Sequence, residues 1–166
     1  ATAKQLFIEF GIRGTSIQRI ADTCGIAKGS IYSYFESKID IVKAIFVATE
    51  EDYHANMREL MANPELTGES LLRTHILLQL ELVESDKAFQ QMWMSDDSLV
   101  MDQDFMEMIQ TSRLRQQQAQ GEIITQVFGD SVRPWLLDIV ITLNGILQEY
   151  SVYITLDDIA IDYPSC

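Results

Sequence analysis

The stretch that decides the fold is TSIQRIADTCGIAKGSIYSYFESK, residues 15–38. It predicts two short helices joined by a tight turn, followed by the start of a third helix. Ile17, Ile20 and Ala21 lie at positions i, i+3 and i+4 and therefore share one helical face. Gly25 is expected to end the first helix, because glycine adopts the left-handed conformation without steric strain. This spacing is typical of a helix-turn-helix.

Capping residues indicate where these helices begin. Thr15 and Ser16 can each place a side-chain oxygen on the free N–H groups of a first helical turn, and Thr15 with Gln18 fits a capping box. Ser37 and Asp40 form a second capping box. We therefore expect helices to begin next to residue 16 and next to residue 38.

The helix that follows the turn is predicted to point Ile26, Ile31 and Phe35 inward. Its outer surface then carries one cation, several hydroxyl or phenol groups and one glycine: Lys28, Gly29, Ser30, Tyr32, Ser33 and Tyr34. In a recognition helix, such donors meet base edges or phosphates. The alternative is a helical hairpin with no DNA role, but two outward tyrosines are a poor choice for solubility alone.

With these residues, the stretch resembles the DNA-binding domain of the tetracycline-repressor (TetR) family of bacterial one-component regulators. The matching positions are Leu6-Phe7, Gly11, Gly14, Thr15, Ile20-Ala21, Gly25-Ile26, Lys28 to Tyr32, Tyr34-Phe35 and Ser37-Lys38. The resemblance covers about the first quarter of the chain. It implies base contacts at Gln18, Lys28, Gly29 and Tyr32. It implies phosphate contacts at Ser16, Ser30, Tyr34 and Lys38, with Thr15 as a further candidate.

Two positions depart from the pattern of that family. Ala27 stands where Ser or Thr is frequent, so a cap or a phosphate contact is lost there. Cys24 stands where a small apolar residue is usual, and we interpret it as a buried small hydrophobe rather than a redox sensor.

The charge of the chain is divided unevenly along its length. The net charge is −13, which by itself argues against a DNA-binding protein. Residues 1–46 nevertheless carry six basic and four acidic groups, whereas residues 47–166 carry six basic and 21 acidic groups. Because neutralisation of phosphates is local, a mildly basic head on an acidic body is compatible with DNA binding. We therefore predict a DNA-binding domain over residues 1–46 and a ligand-binding and dimerisation domain over residues 47–166.

Composition indicates the compartment. The two cysteines, Cys24 and Cys166, exclude a disulfide framework and favour a reducing cytoplasm. No apolar run is long enough to span a bilayer, and the chain opens on a helical pattern rather than a signal peptide. We expect a cytoplasmic protein with no membrane partner.

The fold class expected for the whole chain is all-α, because only three prolines occur and no segment shows sustained alternation. Helices are predicted over 1–11, 38–61, 69–85, 86–94, 102–128 and 132–154, and a further, apparently truncated helix is predicted from Thr155 onward. The 132–154 helix is apolar nearly all round and so needs cover on every side. We interpret it as a dimerisation helix whose interface residues are Trp135, Leu136, Ile139, Val140, Leu143 and Leu147.

The body is expected to enclose a site for a small hydrophobic effector. Five of the seven methionines lie within residues 92–108, and methionine adapts to irregular apolar shapes. The candidate ligand-binding residues are His75, Phe89, Met92, Trp93, Phe105, Met108, Ile109 and Tyr150. Ordinary core packing is the alternative interpretation for each of them.

The sequence has no metal-ligand spacing, no phosphate-binding loop, no nucleophile motif and no dinucleotide-binding motif, so no cofactor, metal or enzymatic activity is expected. The favoured hypothesis is a homodimeric repressor that binds a palindromic double-stranded operator and is released by the effector. The alternative is a helical small-molecule-binding or interaction protein that does not read DNA.

Overall fold

The computed structural model describes residues 2–155, and within that range the chain is helical without strands. The predicted all-α class is therefore confirmed. The helices are α1 (Thr2–Gly14), α2 (Ile17–Cys24), α3 (Lys28–Tyr32), α4 (Lys38–Ala62), α5 (Gly68–Met94), α6 (Asp97–Val100), α7 (Gln103–Phe128), a 3₁₀ helix (Asp130–Trp135) and α8 (Leu136–Thr155).

Three predicted boundaries need correction or comment. The break predicted after Ser85 is wrong: α5 continues through it, and the Ser85 hydroxyl donates to the Leu82 carbonyl of its own helix. Pro134 lies in the 3₁₀ helix, so α8 begins at Leu136 rather than at residue 132. The predicted end of the first helix at Gly11 corresponds to a kink there, with φ 69°. The helix predicted from Thr155 onward falls outside the described residues.

The described residues pack as two compact units. The first contains the chain up to Asp52 together with Ala88–Met108, and the second contains Tyr53–Lys87 together with the residues from Ile109 onward. The division between a head and a body at residues 46 and 47 stays a prediction. One segment assigned from sequence to the body, Ala88–Met108, packs with the head instead.

In the first unit, Thr15 fastens α2 to α1. Its side chain is fully buried, and its hydroxyl lies 3.0 Å from the Leu6 carbonyl oxygen and 2.8 Å from that of Gly11. The kink at Gly11 leaves a carbonyl of α1 available for this contact. Thr15 is therefore a structural residue at the start of the motif.

The turn between α2 and α3 is closed by two backbone hydrogen bonds. Gly25 adopts the left-handed conformation (φ 67°, ψ 29°), and its N–H donates to the Asp22 carbonyl at 3.2 Å. The Ile26 N–H donates to the Ala21 carbonyl at 3.0 Å. This pair of bonds is a Schellman motif, which satisfies the last carbonyls of α2 and redirects the chain into α3.

An ion pair joins α4 to the start of α7 within the first unit. Lys43 Nζ lies 2.8 Å from Asp102 Oδ1 and 3.5 Å from Asp104 Oδ2. Asp102 also accepts from the Phe105 N–H at 2.8 Å and so caps α7. The hydrogen bond from Lys43 lowers the pKa of Asp102, and the same bond raises the pKa of Lys43.

The second unit has three apolar clusters. The first contains buried Tyr53, Met57, Leu60, Leu71 and Ile123. The second is built on Leu80, Leu147 and Ile154, and the third on Ile124, Val132 and Val140. Leu143 packs against both the second and the third cluster. These contacts hold α5, α7 and α8 together in the second unit.

We predict opposite effects of alanine at two glycines of the motif. Gly25→Ala should destabilise the protein by about 1–2 kcal/mol, because a side chain disfavours the left-handed conformation even though the space around it is open. Gly29→Ala should instead be neutral or stabilising by up to about 1 kcal/mol, because Gly29 is helical and an added Cβ meets nothing within 4 Å. Urea unfolding followed by circular dichroism measures both, and equal stabilities of the two variants would contradict the role given to Gly25.

We also predict that Asp102→Asn destabilises the protein by about 1 kcal/mol at neutral pH, with the loss fading in acid. The folded-state pKa of Asp102 lies below its ordinary 3.8, so the stability it contributes is present above that pH and disappears as the pH falls through the lower folded value. Asp104→Asn is the matched control, because Asp104 has an 85% exposed side chain at the longer distance. Urea unfolding between neutral and acidic pH measures the difference, and a pH-independent loss for Asp102→Asn would argue against the ion pair.

Candidate nucleic-acid interface and effector site

The start of α2 is capped by Ser16 rather than by Thr15. The Ser16 side chain accepts from the Arg19 N–H at 3.1 Å, which leaves the predicted box of Thr15 with Gln18 unformed. Gln18 instead donates to Asp22 Oδ1 at 2.7 Å along the exposed side of α2. The second predicted box is confirmed: the Ser37 N–H donates to Asp40 Oδ2 at 2.8 Å, and the Asp40 N–H donates to Ser37 Oγ at 3.2 Å.

Helix α3 is short and is anchored by one side chain. Ile31 is its buried residue, whereas Ile26 in the turn before it is 48% exposed, so the inward orientation predicted for Ile26 is wrong. Ala27 precedes the helix without a side-chain cap, as its residue type implied. The remaining surface of α3 faces away from the core of the first unit.

The structure leaves most of the predicted DNA contacts accessible. Seven of the nine are exposed: Ser16, Gln18, Lys28, Gly29, Ser30, Tyr32 and Tyr34. Tyr34 is the most open of the aromatic side chains, at 83%. Lys28 Nζ lies 5.8 Å from the centre of the Tyr32 ring, so the cation and the phenol occupy one surface. Cation, phenol and open glycine therefore lie on the same short helix.

Two predicted DNA contacts have structural roles. Thr15 is buried, and its hydroxyl is used within the chain, so it is removed from the set of phosphate-binding candidates. Lys38 is half-buried and donates its ammonium to the Ile12 carbonyl near the end of α1. Sequence reasoning missed both roles because each depends on a carbonyl of α1 that only the kinked helix presents.

Few cations of the first unit remain open to a polyanion. Lys43 is paired with Asp102, and Lys38 is bound to a carbonyl. Arg19 is exposed, with its guanidinium carbon 3.5 Å from the centre of the Phe10 ring. Lys28 and Arg13 are exposed. Hydroxyl, phenol and amide donors must therefore supply much of any contact with phosphates.

Cys24 ends α2 with an exposed side chain and a free thiol. The prediction that it is a buried hydrophobe is wrong. Residues 20 and 21 already fill the buried face of α2, and Cys24 lies beyond the last contacts of that face.

The eight predicted effector residues do not belong to one compact unit. Phe89, Met92, Trp93, Phe105 and Met108 lie in the first unit, whereas His75, Ile109 and Tyr150 lie in the second. The Phe105 ring packs edge-on against the rings of Phe46 and Trp93, with centroids 5.6 Å apart in both cases. These aromatic residues therefore pack together beside α4, and their role in binding an effector stays a prediction. Tyr150 is 44% exposed.

The second unit contains a buried polar group that the sequence did not single out. Gln120 of α7 is 1% exposed, and its Oε1 accepts from Asn144 Nδ2 of α8 at 2.7 Å. His75 of α5, which was predicted, is 0% exposed, and burial lowers its pKa to about 4. The position of Gln120 could have indicated that it is buried, because it lies three residues before Ile123 on the same face of α7.

The predicted interface residues of α8 mostly face their own chain. Val140 and Leu147 are buried, and Leu136, Ile139 and Leu143 pack against the clusters around them. Trp135 is 65% exposed but lies in the 3₁₀ helix. The exposed apolar side chains of α8 itself are Leu137, Ile141, Ile146, Tyr150 and Tyr153. The helix thus keeps a broad apolar surface, carried by other residues than those predicted.

The described residues form no cluster of His, Cys, Asp and Glu suited to a metal ion. None of the described helices is both long and apolar enough to cross a membrane.

Comparison with known proteins identifies the first quarter of the chain. Residues 1–45 match the family model described as bacterial regulatory proteins, tetR family. The uncharacterized HTH-type transcriptional regulator YuxN of Bacillus subtilis (strain 168) is 26% identical over 152 residues, which are 90% of this chain and 51% of that protein. The HTH-type transcriptional repressor KstR2 of Rhodococcus jostii (strain RHA1) is 39% identical over 61 residues, which are 37% of this chain and 30% of that protein. The chain spans about half the length of the first of these relatives.

Solved structures share the fold. A transcriptional regulator from Aquifex aeolicus VF5 superposes with a TM-score of 0.69 at 18% identity, covering 97% of this chain and 86% of that one. The ketosteroid transcriptional regulator KstR2 of Mycobacterium tuberculosis gives a TM-score of 0.56 at 20% identity, covering 97% and 92%. The relatives are named as transcriptional regulators rather than as enzymes. The match to the family model covers the helix-turn-helix, so residues 1–45 form a DNA-binding domain of the type found in bacterial regulatory proteins of the tetR family.

Proposed function

We propose that the protein is a DNA-binding transcriptional repressor of the bacterial cytoplasm, which binds a palindromic operator as a homodimer and is released by a small hydrophobic effector. The observation that carries the proposal is the surface of α3. Ile31 fixes this helix to the first unit, while Lys28, Gly29 and Tyr32 are exposed together. The names of the relatives, among them a repressor, support the same function.

The proposed readout depends on close approach at Gly29. The residue is helical and exposed, and the space around it is open. A recognition helix enters the major groove with its N-terminal residues against the base edges, and Gly29 is the second residue of α3. The lack of a side chain at this point lets the backbone come near the duplex.

The proposed dimer follows from the surface of α8. Leu137 is 70% exposed and Ile141 is 57% exposed, on a helix whose opposite side already packs against its own chain. Apolar surface of this extent is typical of an interface between subunits. Two copies would place their recognition helices in successive major grooves, about 34–36 Å apart, which matches a palindromic site.

An effector that acts on this protein is expected to be apolar. In the second unit, α5, α7 and α8 pack against one another through the apolar side chains of three core clusters. One solved structure of the same fold is described as a ketosteroid transcriptional regulator, which supports a hydrophobic effector for this chain as well. The alternative, a ligand-binding protein that does not read DNA, is favoured by the small number of open cations in the first unit.

We predict that Gly29→Ala weakens specific DNA binding roughly tenfold while leaving the protein at least as stable, because the added methyl group obstructs approach to the duplex and meets nothing in the fold. A duplex selected from a random pool by the wild-type protein serves as the probe, and fluorescence anisotropy gives the affinity. Glu59→Ala, at an exposed position of α4, is the control and should bind as the wild type does.

The salt dependence of the same measurement separates the two candidate functions. A repressor should lose affinity as salt rises, and Lys28→Gln should reduce the slope by about one per protomer. Failure to select any duplex, or an affinity that does not change with salt, would favour the protein that does not read DNA.

We predict that Ile141→Glu weakens self-association at least tenfold, because dimer formation would bury an unpaired carboxylate. Multi-angle light scattering over a range of concentrations should show twice the chain mass for the wild type and a shift toward the monomer for the variant. Glu59→Gln also changes the charge by one unit, at an exposed position of α4, and should leave the mass unchanged. A monomeric wild type would contradict the proposed dimer.

A further inference from the structure

His75 Nδ1 and Gln120 Nε2, both in the second unit, are buried polar atoms with no hydrogen-bond partner. Their side chains are 0% and 1% exposed. An unsatisfied buried donor costs about 1–3 kcal/mol, so two of them in one unit require an explanation.

The hydrogen bonds of Asn144 determine which end of the Gln120 amide lacks a partner. The Val140 carbonyl can only accept, so the Asn144 side chain turns its Nδ2 toward that oxygen, at 2.8 Å. The same Nδ2 donates to Gln120 Oε1 at 2.7 Å. The Gln120 oxygen is thereby used, and its NH₂ group is the end left without a partner.

The orientation of the Gln79 amide sets the tautomer of His75. In the structure Gln79 turns its Nε2 toward the ring, 2.6 Å from His75 Nε2. With the amide in this orientation the ring nitrogen accepts, and the proton of the neutral imidazole lies on Nδ1. Burial keeps the ring neutral, since the pKa of His75 falls to about 4. Both unpartnered atoms are thus N–H donors.

Helix register places the two donors at one level of the unit. Leu71 of α5 and Ile123 of α7 belong to the same apolar cluster. His75 is one turn after Leu71, and Gln120 is about one turn before Ile123. The second unit contains the first part of α5 and the last part of α7, which is the arrangement of antiparallel helices. Moving forward from Leu71 to His75 and backward from Ile123 to Gln120 therefore leads toward the same end of the cluster.

Helix α8 meets the pair at the same level. Leu143 and Leu147 pack in the cluster that contains Leu80 and Ile76 of α5. Asn144, which holds Gln120, is the neighbour of Leu143. Along α5, α7 and α8, the positions next to these polar side chains thus carry aliphatic residues of the core clusters.

From this arrangement we propose that His75 Nδ1 and Gln120 Nε2 are the polar anchors of the effector site and bind one uncharged acceptor oxygen, a carbonyl, on an otherwise apolar molecule. Two donors suit the two lone pairs of a carbonyl oxygen. A carboxylate is a poorer fit, because neither donor carries the positive charge that a buried anion requires. The inference rests on the proposed function, for which it names the chemistry of the effector.

The test uses matched pairs of ligands. Cyclic ketones of increasing ring size, each paired with the cycloalkane of the same ring, are titrated into the full chain, and binding is followed calorimetrically and by the ring N–H proton resonance of His75. The wild type should prefer at least one ketone over its cycloalkane, and binding should shift that resonance. His75→Phe and Gln120→Leu should each reduce the preference by roughly five- to tenfold.

Matched variants separate binding from folding. Binding of the cycloalkane should be retained or improved in both variants, which shows that they are folded. Each variant loses an unsatisfied buried donor but also the hydrogen bond that its side chain accepts from Gln79 or Asn144, so urea unfolding is measured on the same samples. Gln118→Leu makes the same substitution two residues away, on the exposed side of α7, and should leave the preference for the ketone unchanged.

Two results would overturn the proposal. One is equal binding of ketone and cycloalkane by the wild type at every ring size, which would mean that ordered water satisfies the donors. The other is a preference that survives in both variants. DNA affinity is measured on the same samples: ketone discrimination without any DNA binding would refute the proposed function and leave this site standing, whereas DNA binding without ketone discrimination would do the reverse.

Discussion

The position of α3 depends on the left-handed conformation of Gly25. Because the N–H groups of Gly25 and Ile26 are both bonded back to α2, the direction in which α3 leaves the turn is fixed by the backbone. The buried side chain of Ile31 then anchors α3 to the first unit. A five-residue helix would be marginal in isolation, and here it owes its existence to its turn and its anchor. Its remaining side chains are consequently released for contact with a partner.

The first unit also contains several of the residues that are predicted to line an effector site. Phe105 is fully buried, its ring meets those of Phe46 and Trp93, and Asp102 three residues earlier is paired with Lys43. Apolar contact and ion pair together fasten the start of α7 to α4. Any shift at this end of α7 must therefore act on the helix that follows α3 in the chain. Contacts of this kind give a physical basis for communication within the first unit, independent of which ligand acts.

Local signals in the sequence predicted local structure well. The stop at Gly25, the box of Ser37 with Asp40 and the uncapped Ala27 each depend on a few neighbouring residues, and all three are present. Predictions failed where the outcome depends on distant packing. Ile26 has the spacing of a buried residue but is exposed. The Thr15 hydroxyl forms a hydrogen bond with a carbonyl of α1 instead of facing a partner. The exposed surface of α3 was therefore predictable, whereas the residues that support it were not.

Helix α8 shows a second limit of periodicity. A helix that is apolar nearly all round does not reveal which side faces its own chain, so Val140 and Leu147 were assigned outward although they are core. Asn144 was overlooked among its apolar neighbours for the same reason: pattern reasoning weighs apolar positions and passes over the single polar one.

The two units treat buried polar groups differently, and the contrast bears on function. The Thr15 hydroxyl reaches two carbonyls, so the first unit leaves that group satisfied and rigid. In the second unit, His75 and Gln120 each use one end in a hydrogen bond and leave the other end unused. A chain under selection for stability alone would replace such donors with apolar side chains, which fill the same volume without the cost of desolvation. That two such donors stand in one unit, each on a side chain whose other end contacts a neighbouring amide, argues that the free ends serve a molecule that is bound only part of the time.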